Sequence, residues 1–580
     1  MKEIKNLSQI SKQFYSLIST RYILLWTILL FIPVFIQDTK DSFIACLILY
    51  SKTFISYLGF SVILSFIIGL LSSCFSRIKP FLHILVTCIL TFFTFIDVFL
   101  TIKFRLRLYY ETIKLFFDTN QTEASEFVHL YIFSFSTILL LFAYLVLFII
   151  ISKVSVKMKM KHKIISAIAC TILLLSAAFG ANNFIKYYIC YGKYDAPASV
   201  FQGTFYNILV GIKSIQANSN DIQLCLKANQ SIKDVHLEPN VKDVVLIIGE
   251  SFIKSHSSLY GYELQTNERL SEYSDKTFLF SDVITSVNYT SEAIRNMFLV
   301  SNSNDTINNY SVPMLPAIVK KAGVNVVFYS NQFVMEQFQT VFDALGSFYM
   351  NDSIIGKQMY SKRNSRRYTY DEDLIDDFIT NRDKLETNQS NLIIFHLLGQ
   401  HENRKDRFPA QFNFFTADSI KRDLLSIQKQ KIADYDNATR YNDYVVSKIF
   451  ELYKNKDALV IYLSDHGEEC YDFRNKNGRA VDFDSNNGLC GRYQLDIPFM
   501  IFATDTCRNT HPELIHQIEK SVHRPYMTDD LPHLIMNLLG VKSSYYRPDR
   551  DLINNKYDSK RKRIVIRNTR YYNYDTMHFE

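Results

Sequence analysis

Glu250 follows directly on the run Asp243-Val244-Val245-Leu246-Ile247-Ile248-Gly249, and Asp465 and His466 follow directly on Ala458-Leu459-Val460-Ile461-Tyr462-Leu463-Ser464. Two carboxylates and an imidazole are donors that a divalent metal accepts, zinc among them. A metal so held needs a partner to act on. A serine or threonine alcohol is a poor nucleophile at neutral pH until something ionises it, and a bound metal does so. The segment Ile284-Thr285-Ser286-Val287-Asn288-Tyr289-Thr290-Ser291 lies about forty residues past the first run. Thr290 is a candidate nucleophile there, though spacing alone does not select it over Thr285, Ser286 or Ser291. Taken singly, Glu250 reads as a helix-start or surface carboxylate and Asp465-His466-Gly467 as a polar turn. Their weight comes from sharing one architecture.

That architecture follows from the runs themselves. Continuous apolar, β-branched stretches are the pattern of strands buried on both faces, and open α/β sheets bind ligands beyond the carboxyl ends of such strands. Counting these two, strand-like runs recur at 244–248, 324–329, 392–395, 459–463, 499–502 and 564–566. Helical patterns separate them. One covers 315–322 and stops at Gly323; a long one covers 423–455, with Ile432, Tyr435, Asn442, Val445, Ile449 and Leu452 spaced near three and four. Residues 241–580 are therefore expected to form an α/β domain with a mainly parallel sheet.

The first part of the chain differs. Segments 22–36, 54–75, 81–101, 129–152 and 164–180 are apolar over lengths suited to a bilayer, although the first contains Pro33. They predict a five-helix membrane domain over 1–180, with 181–240 as a connecting segment that holds a short amphipathic helix near 200–215. No cleavable signal pattern precedes them. Lys2, Lys5, Lys12 and Arg21, then Arg77 and Lys79, then Lys153, Lys157, Lys159, Lys161 and Lys163 fall on one side, which the positive-inside rule makes cytoplasmic. Lys103, Arg105, Arg107 and Lys114 fall on the other side, accompanied by Glu111, Asp118, Glu123 and Glu126. Five crossings put residues 241–580 outside the cytoplasm. The net charge of +7 is then mostly a topological signal and does not indicate nucleic acid. The basic run Lys560 to Arg563, with Arg567 and Arg570, reads either as a contact for anionic lipid or glycan or as a solvated surface.

Nine cysteines divide along the same line. Cys46, Cys74, Cys88 and Cys170 are in or near membrane segments. Cys190, Cys225, Cys470, Cys490 and Cys507 are external, an odd number that leaves at least one thiol without an intrachain partner. Cys470 and Cys490 bracket the loop after Asp465-His466 and are the preferred pair.

The ordered series of motifs resembles the membrane-anchored phosphoethanolamine transferases of the alkaline-phosphatase/sulfatase superfamily. Gly249-Glu250-Ser251 followed by Leu259-Tyr260-Gly261-Tyr262-Glu263-Leu264-Gln265-Thr266-Asn267 is similar to that family's first metal motif and its sequel. Counting back from Met297-Phe298 puts Thr290 at the family's nucleophilic threonine. His396-Leu397-Leu398-Gly399-Gln400-His401 resembles its His-x-x-Gly-x-His segment, Tyr435-Asp436-Asn437 its helix motif, and Ser464-Asp465-His466-Gly467-Glu468 its second metal motif. In the membrane half, Asn120-Gln121-Thr122-Glu123-Ala124-Ser125-Glu126 is similar to an external family segment. The likeness spans nearly the whole chain.

The resemblance implies a zinc site of Glu250, Thr290, Asp465 and His466, with His401 near the transferred phosphate, in a bacterial inner-membrane protein whose catalytic domain is periplasmic. It implies phosphatidylethanolamine as donor, a phosphoethanolamine-threonine intermediate, and lipid A, a lipopolysaccharide core glycan or another envelope group as acceptor. Two departures stand out. The family has a further phosphate-binding histidine after the Asp-His motif, yet 468–493 contains none, which leaves Arg474, Arg479, Asn487 or Arg492 as substitutes. After Glu250, Phe252-Ile253-Lys254 stands where the family often has an arginine. A sulfatase proper is disfavoured because Thr290-Ser291-Glu292-Ala293-Ile294-Arg295 lacks a Cys/Ser-x-Pro-Ser-Arg pattern. A phosphoglycerol transferase shares the sheet, metal and threonine and is the alternative enzyme; a catalytically inactive membrane scaffold is the alternative outside enzymes.

Overall fold

The computed structural model describes residues 17–36, 43–73, 77–104, 125, 127–153, 171–179, 182, 221–305, 311–332, 353–382, 389–473, 477–479, 488–567 and 570–577. Chain contacts divide it into two units, Met1–Gln216 and Ala217–Glu580. The motif at 120–126 apart from Ser125, the helix expected near 200–215, Arg474, Asn487, and the side chains of Cys46, Cys74, Cys170, Cys190 and Cys490 lie outside the described residues.

In the first unit, helices α1 (Thr20–Ile36), α2 (Phe43–Leu71), α3 (Ile78–Phe104) and α4 (Phe135–Lys153) account for the first four expected segments, and 171–179 is helical within the fifth. Among the described residues two helices are long and apolar enough to cross a membrane, Tyr50–Leu71 and Ile78–Phe104; Thr20–Ile36 and Phe135–Ile150 are shorter apolar helices. Helix α2 begins before the expected start at residue 54, because Ser51, Lys52 and Thr53 dilute the hydropathy there without breaking the helix. Leu25, Trp26, Leu29, Tyr57, Leu90 and Tyr144 form the unit's main apolar cluster. The Trp26 indole N–H donates to Thr87 Oγ1 at 2.8 Å, so a buried polar group of α1 finds its partner on α3.

The second unit is organised by a seven-stranded sheet. Its strands are β1 (Asp243–Gly249), β2 (Thr277–Leu279), β3 (Asn325–Ser330), β4 (Lys362–Arg363), β5 (Asn391–His396), β6 (Ala458–Ser464) and β7 (Phe499–Ala503), in the spatial order β2-β7-β6-β1-β5-β3-β4. The five strands from β6 to β4 are parallel; β7 runs antiparallel to both β6 and β2, so the sheet is mixed rather than uniformly parallel. An apolar run buried on both faces carries no directional signal, which is why the sense of β7 is invisible in its sequence. The run at 564–566 is not part of this sheet. It belongs to Ile564–Arg567, which pairs antiparallel with Arg570–Asn573.

Every residue of β1, β3, β5 and β6 is buried. Successive side chains alternate between two cores, as the strand period of two requires. Val244, Leu246, Ile248, Leu459 and Leu463 pack beneath helices α5 (Thr290–Phe298), α6 (Leu315–Lys321) and α9 (Leu531–Leu539). Val245, Ile247, Phe395, Val460 and Tyr462 pack beneath α7 (Asp371–Asn381) and α8 (Ser426–Tyr453). Past α6, Gly323 takes φ +100°, the left-handed cap expected of that glycine.

Two expectations about the surface change. Cys470 is a free thiol rather than half of a bridge to Cys490. It is buried with Phe415, Ile420, Ile432, Ala433 and Tyr435 beside α8, with Sγ 4.0 Å from the Lys431 carbonyl oxygen. Two arginines of the basic run are neutralised from within. Arg561 pairs with Asp529 at 2.6 Å and with Asp530, and Arg563 pairs with Asp282 and Asp575 at 2.6 Å each. These two arginines are committed to structure and not to lipid or glycan.

Candidate metal centre

Strand register brings the chemistry together. Gly249 of β1 pairs with Ser464 of β6, so Glu250 and Asp465 emerge side by side at the carboxyl edge. Ile248 pairs with His396 of β5, which in turn pairs with Ser330 of β3, so the segments 397–401 and 331–332 leave the sheet at the same edge. The Asp465 N–H donates to the Gly249 carbonyl at 3.0 Å and the Gln400 N–H to the Glu250 carbonyl at 3.0 Å, extending the ladder one step beyond the strands.

Glu250, Asp465 and His466 are fully buried, and one ligand atom from each lies within 4.8 Å of the others. His466 Nε2 is 3.4 Å from Glu250 Oε1 and 3.2 Å from Asp465 Oδ2. Thr290 Oγ1 is 3.1 Å from Glu250 Oε2 and 3.3 Å from His466 Nε2. Of the four hydroxyls left open by spacing, Thr290 is thus the one shown against the cluster, at the first residue of α5. Ser286 instead accepts from Asn296 at 2.9 Å. His401 is half-buried, its Nδ1 has no hydrogen-bond partner among the described residues, and it is near enough to bias both Glu250 and His466 electrostatically.

The donor set fits a divalent cation on three grounds. Burial, together with the Glu250 charge, pushes the Asp465 carboxyl well above the usual carboxylate range, a conflict between two buried acids that a cation relieves. Asp465 Oδ2 makes no hydrogen bond. Burial, then the Arg479 charge, pushes His466 down to about 3, so its imidazole is neutral; Nδ1 lies 3.0 Å from the Gly467 carbonyl, which assigns the proton there and leaves a lone pair on Nε2.

Gln332 carries no signature in sequence, and the contacts by which the motif residues Ser251 and Tyr435-Asp436-Asn437 build this geometry are visible only in the structure. Gln332 donates to Glu250 Oε2 at 3.0 Å and to the Leu397 carbonyl at 2.7 Å, and so ties the carboxylate to the edge of the sheet. Ser251 adopts φ +57°, which lets its N–H reach Asp465 Oδ1 at 3.0 Å while its hydroxyl reaches Glu250 Oε1 at 2.7 Å. A non-glycine residue in that region is strained, and here the strain serves the site. The Tyr435 hydroxyl on α8 donates to the Ser251 carbonyl at 2.6 Å and accepts from the Ile253 N–H at 2.9 Å, clamping the turn from beneath. Asp436 meets His256 at 2.7 Å, and Asn437 holds the backbone at Phe414 and Phe415. Lys254 pairs with Asp496 at 2.7 Å.

Gly399 shows how tightly the edge is packed. It sits at φ +48°, and a Cβ there would lie 2.9 Å from the Glu250 nitrogen and 3.0 Å from its carbonyl oxygen. Gly399→Ala is expected to cost about 2 kcal/mol from the left-handed backbone alone, with the contact adding to it. It should also weaken metal binding by displacing Glu250. Thermal melts and zinc titration check this; a variant equal to wild type in both refutes the packing.

After His466 the chain leaves through Glu469–Cys470 and returns antiparallel through Asn477–Gly478, delivering Arg479 back to the cluster. Of the four proposed substitutes for the absent histidine, Arg479 is the one shown in contact: Nη1 lies 2.9 Å from His466 Nε2 and 3.2 Å from the Asn288 carbonyl oxygen.

The family described as Sulfatase matches residues 242–541. Phosphoethanolamine transferase EptC of Escherichia coli (strain K12) is 26% identical over 465 residues, covering 76% of this chain and 77% of that protein. The crystal structure of the C-terminal periplasmic domain of EcEptC from Escherichia coli, in complex with Zn, is 26% identical with a TM-score of 0.51, covering 60% of this chain and 96% of that one. The integral membrane protein lipooligosaccharide phosphoethanolamine transferase A from Neisseria meningitidis has a TM-score of 0.60 at 15% identity, covering 94% and 97%, a likeness of fold.

Proposed function

The chain belongs to the sulfatase family, and from that premise we propose that it is a zinc-dependent phosphoethanolamine transferase. Its donor is phosphatidylethanolamine, and its acceptor is an envelope glycolipid, lipid A or lipopolysaccharide core. The observation that carries this reading is the approach of Thr290 Oγ1 to both Glu250 and His466 within one buried set of oxygen and nitrogen donors. The EptC relative and its zinc complex support the choice of group and of metal. Residues 1–180 supply five crossings from a cytoplasmic N-terminus, 181–240 connect, and 241–580 work in the periplasm of a bacterial inner membrane, where the helices meet the donor lipid.

In this mechanism Glu250, Asp465, His466 and Thr290 would hold the zinc. When bound, it acts as a Lewis acid that favours an ionised threonine oxygen and offsets the charge developing on the phosphoryl group. Thr290 gives up its proton to solvent, and Oγ forms a bond to phosphorus as the bond from phosphorus to the diacylglycerol oxygen breaks. His401 donates the proton that diacylglycerol takes away. An acceptor hydroxyl, which releases its proton to solvent, or an acceptor phosphate oxygen then bonds to phosphorus while Thr290 Oγ leaves; Thr290 and His401 each regain a proton from solvent. Gln332 and Ser251 keep Glu250 in place throughout, and the Gly467 carbonyl fixes the His466 tautomer.

Mass spectrometry of envelope lipids and glycans with and without the gene tests the reading. Phosphoethanolamine-sized mass should disappear from one glycolipid when the gene is removed. A phosphoglycerol-sized change would transfer support to the alternative enzyme, and no change at all would count against either.

A further inference from the structure

Arg479 makes a contact that the metal chemistry does not account for. Its Nη1 lies 2.9 Å from His466 Nε2 and 3.2 Å from the Asn288 carbonyl oxygen, and its guanidinium lies 6.0 Å from the centre of the Tyr289 ring. With Nδ1–H engaged by the Gly467 carbonyl, Nε2 has one lone pair. That lone pair serves either Arg479 or a metal.

The charges point the same way. Glu250 and Asp465 match a divalent cation. Glu468, the nearest other carboxylate to Arg479 at 3.8 Å, is already paired with the buried Arg404. Once His466 turns to the metal, one positive charge remains at Arg479 beside the cluster. A phosphodiester carries one negative charge, and a guanidinium fork matches two phosphoryl oxygens. The Asn288 carbonyl, two residues before Thr290, tethers that fork next to the proposed nucleophile.

We infer that Arg479 is the phosphoryl-binding residue of this site: metal binding at His466 Nε2 frees its guanidinium to take the non-bridging oxygens of the donor phosphodiester. This rests on the transferase reading above. It also gives a positive role to a loop that lacks histidine throughout 468–493.

The test uses the zinc-loaded full-length protein in detergent, with inorganic phosphate as the probe and calorimetry as the readout. Wild type should bind phosphate, and Arg479→Ala should keep its zinc and melting temperature while binding phosphate about 10- to 100-fold more weakly. Arg479→Lys should lie between, because it retains the charge without the fork. Zinc-loaded wild type that binds no phosphate, or Arg479→Ala and Arg479→Lys that bind it as tightly as wild type, overturns the inference. So does loss of zinc in both variants, which would make Arg479 a residue that assembles the metal cluster. Phosphate binding needs no turnover, so the two proposals fail separately: a wild type that binds phosphate through Arg479 but transfers no phosphoethanolamine sinks the transferase reading alone.

Discussion

Thr290→Ala should abolish phosphoethanolamine transfer, with a loss of at least about 10³-fold, while zinc is still held, more weakly, by Glu250, Asp465 and His466 and the melting temperature stays near that of wild type. The reasoning is local. Removing Oγ deletes the group 3.1 Å from Glu250 Oε2 and 3.3 Å from His466 Nε2, yet leaves both carboxylates and the imidazole intact. The threonine is half-buried at the start of α5, so the missing hydroxyl empties little core. Thr290→Ser should keep part of the activity because it retains the oxygen. Incubating wild type with donor alone should place a phosphoethanolamine-sized mass on the peptide that contains Thr290. Cells carrying Thr290→Ala that still decorate their envelope glycolipid would show that the nucleophile is another residue.

Asp465→Asn should cost the protein its zinc. Changes to residues that merely orient metal ligands already weaken binding by about 10- to 100-fold, and removing a ligand's charge should exceed that. The same substitution has an opposite effect on the metal-free fold. Burial and Glu250 raise the Asp465 carboxyl well above its ordinary range, so the folded state binds this proton more tightly than the unfolded chain does. Metal-free wild type should therefore lose stability as pH rises from about 4, where the unfolded carboxyl starts to ionise, and go on losing it until the folded pKa is passed. Asparagine removes that slope, and zinc should remove it in wild type. Denaturant titrations across pH, with and without zinc, measure both effects. A metal-free variant with an undiminished slope would mean that the strain resides elsewhere.

The parts of the site legible in sequence were those whose chemistry and secondary structure coincide. Glu250 and Asp465-His466 stand at the ends of runs that could only be buried strands, so their side chains had to meet at one sheet edge. Tyr435-Asp436-Asn437 was recognisable as a motif, but its work, a hydroxyl bridging Ser251 and Ile253, becomes visible only when α8 crosses beneath β1 and β6. Thr290 was one hydroxyl among four, because proximity to the cluster depends on where α5 starts in space. Gln332 is not legible in the sequence. A glutamine after a strand has no distinctive pattern, and its importance is a single hydrogen bond to Glu250. Arg479 was one of four substitutes until the short hairpin returned it to His466. The antiparallel sense of β7 and the separate ribbon at 564–567 are not written in the sequence because apolar runs specify burial and not neighbours.

The pairing of Gly249 with Ser464 and of Ile248 with His396 has a consequence for how this chain tolerates change in length. Side chains alternate faces along a strand, so deleting or inserting one residue within β1, β5 or β6 turns everything beyond it to the opposite face. Such a shift within β1 would put Gly249 or Ser251 where Glu250 stands, and within β6 it would put Ser464 or His466 where Asp465 stands. Single-codon insertions and deletions scanned through these three strands should be silent nowhere. Substitutions that preserve the count, Val244→Ile or Leu459→Val, should pass with little effect.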